Sequence, residues 1–417
     1  MSEELTDKID EHLDEASFLW LQRAHAVQAP HYSPQQFADL DERLAAHIDG
    51  LRVAGEEGRR VAEAALDLGG PEDFFPAAVL ALESDDDRCE SLLARLKESP
   101  EAIPGVVSAL GWVSAQFLGG RVKTWLNDAS PLKQKLALAA CALHRKDPGA
   151  ALARLLESPA DSVRIRALRS AGELGRRDLA PRLQAAFADP KPEARFWSAW
   201  SAVRLGDRGS GLQTLTDLAL KPGLRRLPAL QLALLCLDVR AGHALLTGLD
   251  GQPEAERLRI QGAGWIGDPR YVHWLIERMT VHATARIAAE AFVNIAGADF
   301  NLEQLETRPP DGFEDGPTED PDDANVELPE DIALPWPDAE RIRAWWQTHA
   351  ARLPAGQRVF LGEPPDAAHC NRVLREGFQR QRTIAARLLA LRQPETVLFP
   401  TSAPAWRQAR LLSAAAS

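Results

Sequence analysis

Small and apolar residues recur along this chain at helical steps. Between Pro159 and Asp189 they fall at Val163, Ala167, Ala171 and Leu174, then at Leu179, Leu183 and Phe187, which puts them on one face of each of two consecutive helices. Small residues on the first helix let a neighbour approach closely, and Leu and Phe fill the space between layers. The pattern has a period. Prolines stand at Pro71, Pro100, Pro131, Pro159, Pro190, Pro222 and Pro253, at successive spacings of 29, 31, 28, 31, 32 and 31 residues. Each unit divides at a turn: 84–87, Gly119 and Gly120, 146–148, Gly175, Gly206 with Asp207, Asp238, and Gly267 with Asp268. Glycine ends a helix in the left-handed conformation and Asp caps the next one, while proline suits a first helical turn. One helix pair cannot bury both of its faces. The prediction for 71–300 is therefore an all-α solenoid of stacked two-helix units.

The flanks read differently. Residues 1–70 predict a helical N-terminal cap, with helices over 3–28 and 34–54 joined by the loop APHYS. Residues 301–335 form an acidic, proline-rich loop or linker with too little apolar surface to fold alone. Residues 336–417 predict a small, mostly helical C-terminal module with helices over 367–376, 378–391 and 404–414.

The phrase Val-Arg-x-x-Ala-x-x-x-Ala followed by Leu-Gly, at Val163–Gly175, resembles the HEAT and PBS-lyase type of repeat, and recurs weakly as EARFWSAWSAVRLGD and ERLRIQGAGWIGD. Three further phrases, LDERLAAHIDGLRVAGEEG from Leu40, GFQRQRTIAARLLAL from Gly377 and LFPTSAPAWRQARLL from Leu398, resemble a family of uncharacterised proteobacterial HEAT-repeat proteins. Members of that family are sometimes encoded near type VI secretion genes. The resemblance implies an accessory or adaptor that handles an effector or spike component. It carries over no catalytic residue.

Charge narrows the partners. The net charge of −12 lacks the basic footprint of a nucleic-acid binder. Twelve of the acids lie between Glu303 and Asp331 against one base, Arg308, whereas from Asp338 onward Arg outnumbers acid about two to one. No apolar run is long enough to cross a membrane, and the acidic start lacks the form of a signal peptide, so a cytoplasmic protein is expected. Cys89, Cys141 and Cys236 read as core residues, with Cys370 apart, and no CxxC pair occurs.

Catalytic chemistry finds no motif. The chain has no His-Glu pair of the kind that binds iron in HEAT-like hydroxylases, no HExxH, and no His/Cys cluster at zinc spacing. Gly119–Thr124 lacks the Gly-Lys-Ser/Thr of a phosphate loop, and Ser130-Pro-Leu-Lys133 lacks the partners of a penicillin-binding enzyme. No cofactor or metal is expected. Trp112, Trp197, Trp200, Trp265 and Trp274 read as core; Trp336, Trp345 and Trp346 either dock the C-terminal module or anchor a partner.

Two sets of residues are candidates for binding a protein. Arg95, Lys123, Arg154, Arg182 and Gln213 each follow their unit's proline by 23 or 24 residues, a basic ladder on successive second helices. Arg372, Arg375, Gln379 and Arg382 recur at three- and four-residue steps, as on one helix face. The acidic stretch 311–331 is a candidate for shielding either set in cis. The expected function is a non-enzymatic interaction scaffold or adaptor. The alternative is a lyase- or chaperone-like protein acting on a cofactor or protein substrate, with His243, His273 or His282 in a pocket.

Overall fold

The computed structural model describes residues 3–84, 87–311, 313 and 330–414. The predicted all-α fold is what is observed: apart from one antiparallel pair of two-residue strands, β1 (Glu306–Thr307) and β2 (Trp336–Pro337), the regular structure of the described residues is helical. The chain forms two compact units. The described residues of 1–28, 32–183 and 395–417 make unit 1; those of 29–31 and 184–394 make unit 2.

Unit 1 begins with α1 (Glu3–Ala26), α2 (Pro34–Val53) and α3 (Glu56–Ala65). Ser33 starts α2 with a capping box: its hydroxyl accepts from the Gln36 N–H and the Gln36 side chain accepts from its own N–H. Four helix pairs follow, α4 (Pro71–Glu83) with α5 (Arg88–Glu98), α6 (Ile103–Trp112) with α7 (Ala115–Trp125), α8 (Pro131–Leu143) with α9 (Ala150–Leu155), and α10 (Asp161–Glu173) with α11 (Ala180–Ala185). The first helices stack side by side, α4 on α6, α6 on α8 and α8 on α10, and α1 packs on α4. Every residue from Phe74 to Leu82 and from Leu136 to Ala142 is buried, as expected of helices covered on several sides. Aromatic contacts join the layers, Trp20 stacking on Phe75 and Phe75 meeting Trp112 edge-on at 5.7 Å.

One turn is misplaced by the sequence reading. Gly119 and Gly120 lie inside α7, and the break falls instead at Val113 and Ser114, both extended. Buried Leu118 and Trp125 hold α7 helical across two glycines that cost about 1 kcal/mol each in a helix interior.

Unit 2 continues the pairs with α12 (Pro192–Arg204) and α13 (Ser210–Leu220), α14 (Arg226–Cys236) and α15 (Val239–Thr247), and α16 (Glu256–Ile266) and α17 (Val272–Arg278), then α18 (His282–Ala296). Its first helices also stack, α12 on α14, α14 on α16 and α16 on α18. After the strand pair come α19 (Ala339–His349), α20 (Ala367–Glu376) and α21 (Gln379–Arg392). Trp345 and Trp346 both pack edge-on against Phe292 of α18, so these rings dock the C-terminal residues onto the last repeat. Trp112, Trp200 and Trp265 are buried, whereas Trp197 and Trp274 are half-buried. Cys89, Cys141 and Cys370 are buried and Cys236 is half-buried.

The C-terminal residues run along helix ends. In unit 2, α21 lies on α12 and α14, and the N–H groups of Val359, Leu361 and Gly362 donate to the carbonyls of Gly267, Asn294 and Ile295 at 2.7–2.9 Å. In unit 1, the Leu398 N–H donates to Glu173 O at 3.0 Å, and α22 (Ala405–Ala414) follows, with Arg407 donating to Gly111 O at 2.6 Å. Gly175 and Gly267 have φ of +72° and +69°, the left-handed residue that closes a helix. They also let backbone approach: a Cβ on Gly175 would sit 2.6 Å from Glu395 O, and one on Gly267 would collide with Val359 O.

Candidate functional site

On α8 and α10 the apolar positions are taken up by the stack, and the remaining face carries charge. Lys135 of α8 is half-buried and forms no ion pair among the described residues. From α10, Arg166 pairs with Glu173, and Arg169 Nε donates to the other Glu173 oxygen at 2.8 Å. Arg145, at the end of α8, has φ +55° and donates from Nε to Leu398 O at 2.7 Å. Glu173 is buried; burial alone would raise its pKa, but Arg166, Arg169 and Arg145 together hold it down at about 2. Burial and the nearby Arg166 lower the pKa of Lys135. The Arg166 Nε is buried with no hydrogen-bond partner.

Three arginines therefore answer to the Glu173 carboxylate on this face, with Lys135 beside Arg166. Arg169 is its exposed guanidinium, a donor group of the kind that suits carboxylates and phosphates, whereas the Arg166 side chain is largely buried. The neighbouring Cys141 is no activated nucleophile, because burial pushes its thiol up to about 11 and it stays protonated.

The ladder residues are placed otherwise than a free binding face. Arg95 pairs with Asp67, Arg154 donates to Leu126 O at 2.7 Å and Asn127 Oδ1 at 3.1 Å, and Arg182 donates to Ala153 O and pairs with Glu157 at 3.2 Å. Arg154 and Arg182 reach back to the end of the preceding second helix, where unpaired carbonyls and the negative pole of the helix dipole favour a cation, and Arg95 reaches the carboxylate just past α3. They brace one repeat against the next. Lys123 is exposed, and Gln213, in unit 2, donates to Asp217 at 2.8 Å on its own helix.

Arg372, Arg375, Gln379 and Arg382 do not share one helix face. Gly377 and Phe378 separate α20 from α21, which puts Arg372 and Arg375 on the first helix and Gln379 and Arg382 on the second. Arg372 and Arg375 are exposed, Arg372 pairing with Glu363, but Gln379 and Arg382 are buried. Arg382 donates from Nε to Leu374 O at 2.8 Å, and burial lowers its pKa to about 10. The spacing was helical, but the chain turns between the two halves.

Most of the acidic stretch 311–331 lies outside the described residues. Its end is anchored: Asp331 accepts from both Nη atoms of Arg257 at 2.7 and 2.9 Å, and Arg380 pairs with Glu290 while donating to Glu330 O. Arg257 and Glu290 had no signal in the sequence, since their partners are 74 and 90 residues away. His243 is held from both sides, Nδ1 by Tyr271 Oη at 2.6 Å and Nε2 by the buried Asp268 at 2.9 Å, which ties α15 to the turn before α17. His273 is exposed, and the ring of His282 meets Trp336 edge-on.

This arrangement, stacked two-helix units with charge on the free faces, defines an α-solenoid of repeats. In agreement with it, residues 149–233 match the HEAT repeats, a stretch that includes α10 with Arg166, Arg169 and Glu173. No curated protein matches the chain. No helix among the described residues is long and apolar enough to cross a membrane, and no group of three or more His, Cys, Asp or Glu is placed to hold a metal ion.

Proposed function

We propose that the chain is a non-enzymatic interaction scaffold that receives an acidic stretch of a partner protein on the α8–α10 face of unit 1. HEAT repeats generally serve protein–protein interaction, and extended faces of this kind suit it. The observation that carries the reading is the set of three arginines, Arg145, Arg166 and Arg169, around the carboxylate of Glu173, with Lys135 close enough to Arg166 to feel its charge, on a chain whose net charge is −12. Resemblance of the flanking phrases to HEAT-repeat proteins encoded near type VI secretion genes supports an effector or spike component as the partner, with the chain as adaptor. The experiment is a titration of the full-length protein with a fluorescent poly-glutamate peptide, in parallel with capture of partners from native cells. The expected result is saturable peptide binding that weakens with salt, and loss of both peptide and partner in Lys135→Glu/Arg169→Glu, measured at a temperature where circular dichroism shows the variant still folded. Equal peptide binding and capture by that variant would overturn the reading.

A further inference from the structure

A second charged feature lies in unit 2, where a cleft of about 400 Å³ opens beside the C-terminal end of α14. Three guanidinium groups line it, those of Arg208, Arg358 and Arg392. Arg358 is fixed in place. Its Nε donates to Ile266 O at 3.0 Å, Nη1 to Leu235 O at 2.9 Å, and Nη2 to Leu234 O and Leu237 O at 2.6 and 2.8 Å. Arg208 donates to Val203 O and Leu391 O, and Arg392 to Pro365 O at 2.6 Å. Backbone carbonyls hold these side chains but leave N–H groups over, since each guanidinium has five donors.

None of the three forms an ion pair with a carboxylate among the described residues. That departs from the habit of this protein, in which Arg176 takes two aspartates and Arg52 takes an aspartate and a glutamate. Two acids that act on Arg358 and Cys236 are already committed. Asp207 accepts from the N–H groups of Gly209 and Gly211, and Asp238 caps α15 through Ala241 N at 2.8 Å. Cys236 adds no charge, because burial raises its thiol pKa. The rest of the wall is apolar, with Leu388 and Leu391 of α21 facing the same space.

We propose that this cleft is a binding site for a small amphipathic oxyanion, a carboxylate or phosphate carried on a short apolar body. Guanidinium groups match the planar and tetrahedral oxygens of such head groups, and the leucines take the body. The volume falls in the range of small-ligand pockets, and a bare inorganic anion would leave most of it empty. This site lies within unit 2, and the proposal does not depend on the α8–α10 face of unit 1.

The test uses the full-length protein and four probes measured by calorimetry: octanoate, octyl phosphate, 1-octanol and inorganic phosphate. Octanoate or octyl phosphate is expected to bind in a one-to-one ratio, with the tighter of the two showing which head group the site prefers. Octanol and inorganic phosphate are each expected to bind at least about tenfold more weakly, as the loss of charge-assisted hydrogen bonds or of the apolar body requires. Arg208→Gln/Arg392→Gln should weaken the preferred anion by about tenfold or more while leaving octanol unchanged, and Arg392→Lys should restore part of the loss. Both arginines are exposed, so thermal unfolding of the free variant should match the parent. Lys135→Glu/Arg169→Glu should leave anion binding intact, which separates failure of this site from failure of the scaffold reading. Equal affinity for octanol, equal affinity in the double glutamine variant, or no binding of either anion would overturn the proposal.

Discussion

Glu173 shows how much depends on single residues in this chain. A carboxylate buried without cations would be protonated at neutral pH; here Arg166, Arg169 and Arg145 keep it ionised down to about 2. Its pKa in the folded state lies below the unfolded value of 4.5, so its contribution to stability is complete above pH 4.5 and is lost as the pH falls towards 2. Glu173→Gln should remove that part of the acid sensitivity, so a plot of denaturation midpoint against pH flattens below pH 4.5 in the variant. At pH 7 the same change leaves three arginines without their counter-charge and should destabilise unit 1 by about 3 kcal/mol, the scale for breaking a buried pair. Chemical denaturation measures both effects; an unchanged slope in acid would show that Glu173 is not held ionised. The signal in the sequence was partial. Arg169 and Glu173 stand four apart on α10 and could be paired by eye, but Arg145 belongs to another helix and arrives only when the repeats stack.

Besides packing along helix faces, elements here also meet at helix ends. Gly175 and Gly267 each close a first helix and also admit the returning C-terminal backbone, which gives them two jobs at once. Gly175→Ala would need a left-handed alanine and a Cβ 2.6 Å from a carbonyl oxygen, so a loss of roughly 1–3 kcal/mol from strain is expected. Gly119→Ala tests the opposite case, since nothing lies within 4 Å of a Cβ there and the residue is inside α7; stability should rise by roughly 0.5–1 kcal/mol. Thermal or urea unfolding of the two variants side by side reads the contrast. In the helix α22 the buried residue is Gln408, and Trp406 meets Trp112 edge-on at 4.6 Å. Its first N–H, on Ala405, donates to Asp41 Oδ2 at 2.7 Å, and Asp41 in turn pairs with Arg23. Asp41→Ala should therefore raise hydrogen exchange across α22 before it affects α4 or α8. Uniform deprotection of unit 1 would show that α22 is part of its cooperative core.

At the scale of the whole molecule, charge is unevenly spent along the chain. Residues 314–329 carry seven acids and no base, so replacing them with a Gly/Ser stretch of equal length takes the net charge from −12 to −5. The ion pair of Asp331 with Arg257 lies outside the replaced stretch and should preserve the thermal midpoint. Binding of an acidic peptide to the α8–α10 face should strengthen at low salt and converge with the parent at about 0.5 M salt, where charges are screened over a few ångströms. Fluorescence anisotropy across a salt series checks it; a gain that persists at high salt would point to a direct contact in place of a long-range field.

Periodicity alone determined that this chain stacks helix pairs, because the spacing of small and apolar residues and of prolines is a local property that each repeat states again. It also located most turns and nearly every flanking helix. Where local signals were ambiguous it failed: two glycines in α7 looked like a turn, and four residues at helical steps across Gly377 looked like one face, until buried neighbours decided otherwise. The proposed binding surfaces were the least legible. An arginine that braces a repeat and an arginine left with donors to spare look alike in a sequence. Only the tertiary structure decides which carbonyl or carboxylate comes within 3 Å, since the partners of Arg145, Arg208 and Arg358 lie as far as 253, 183 and 124 residues away.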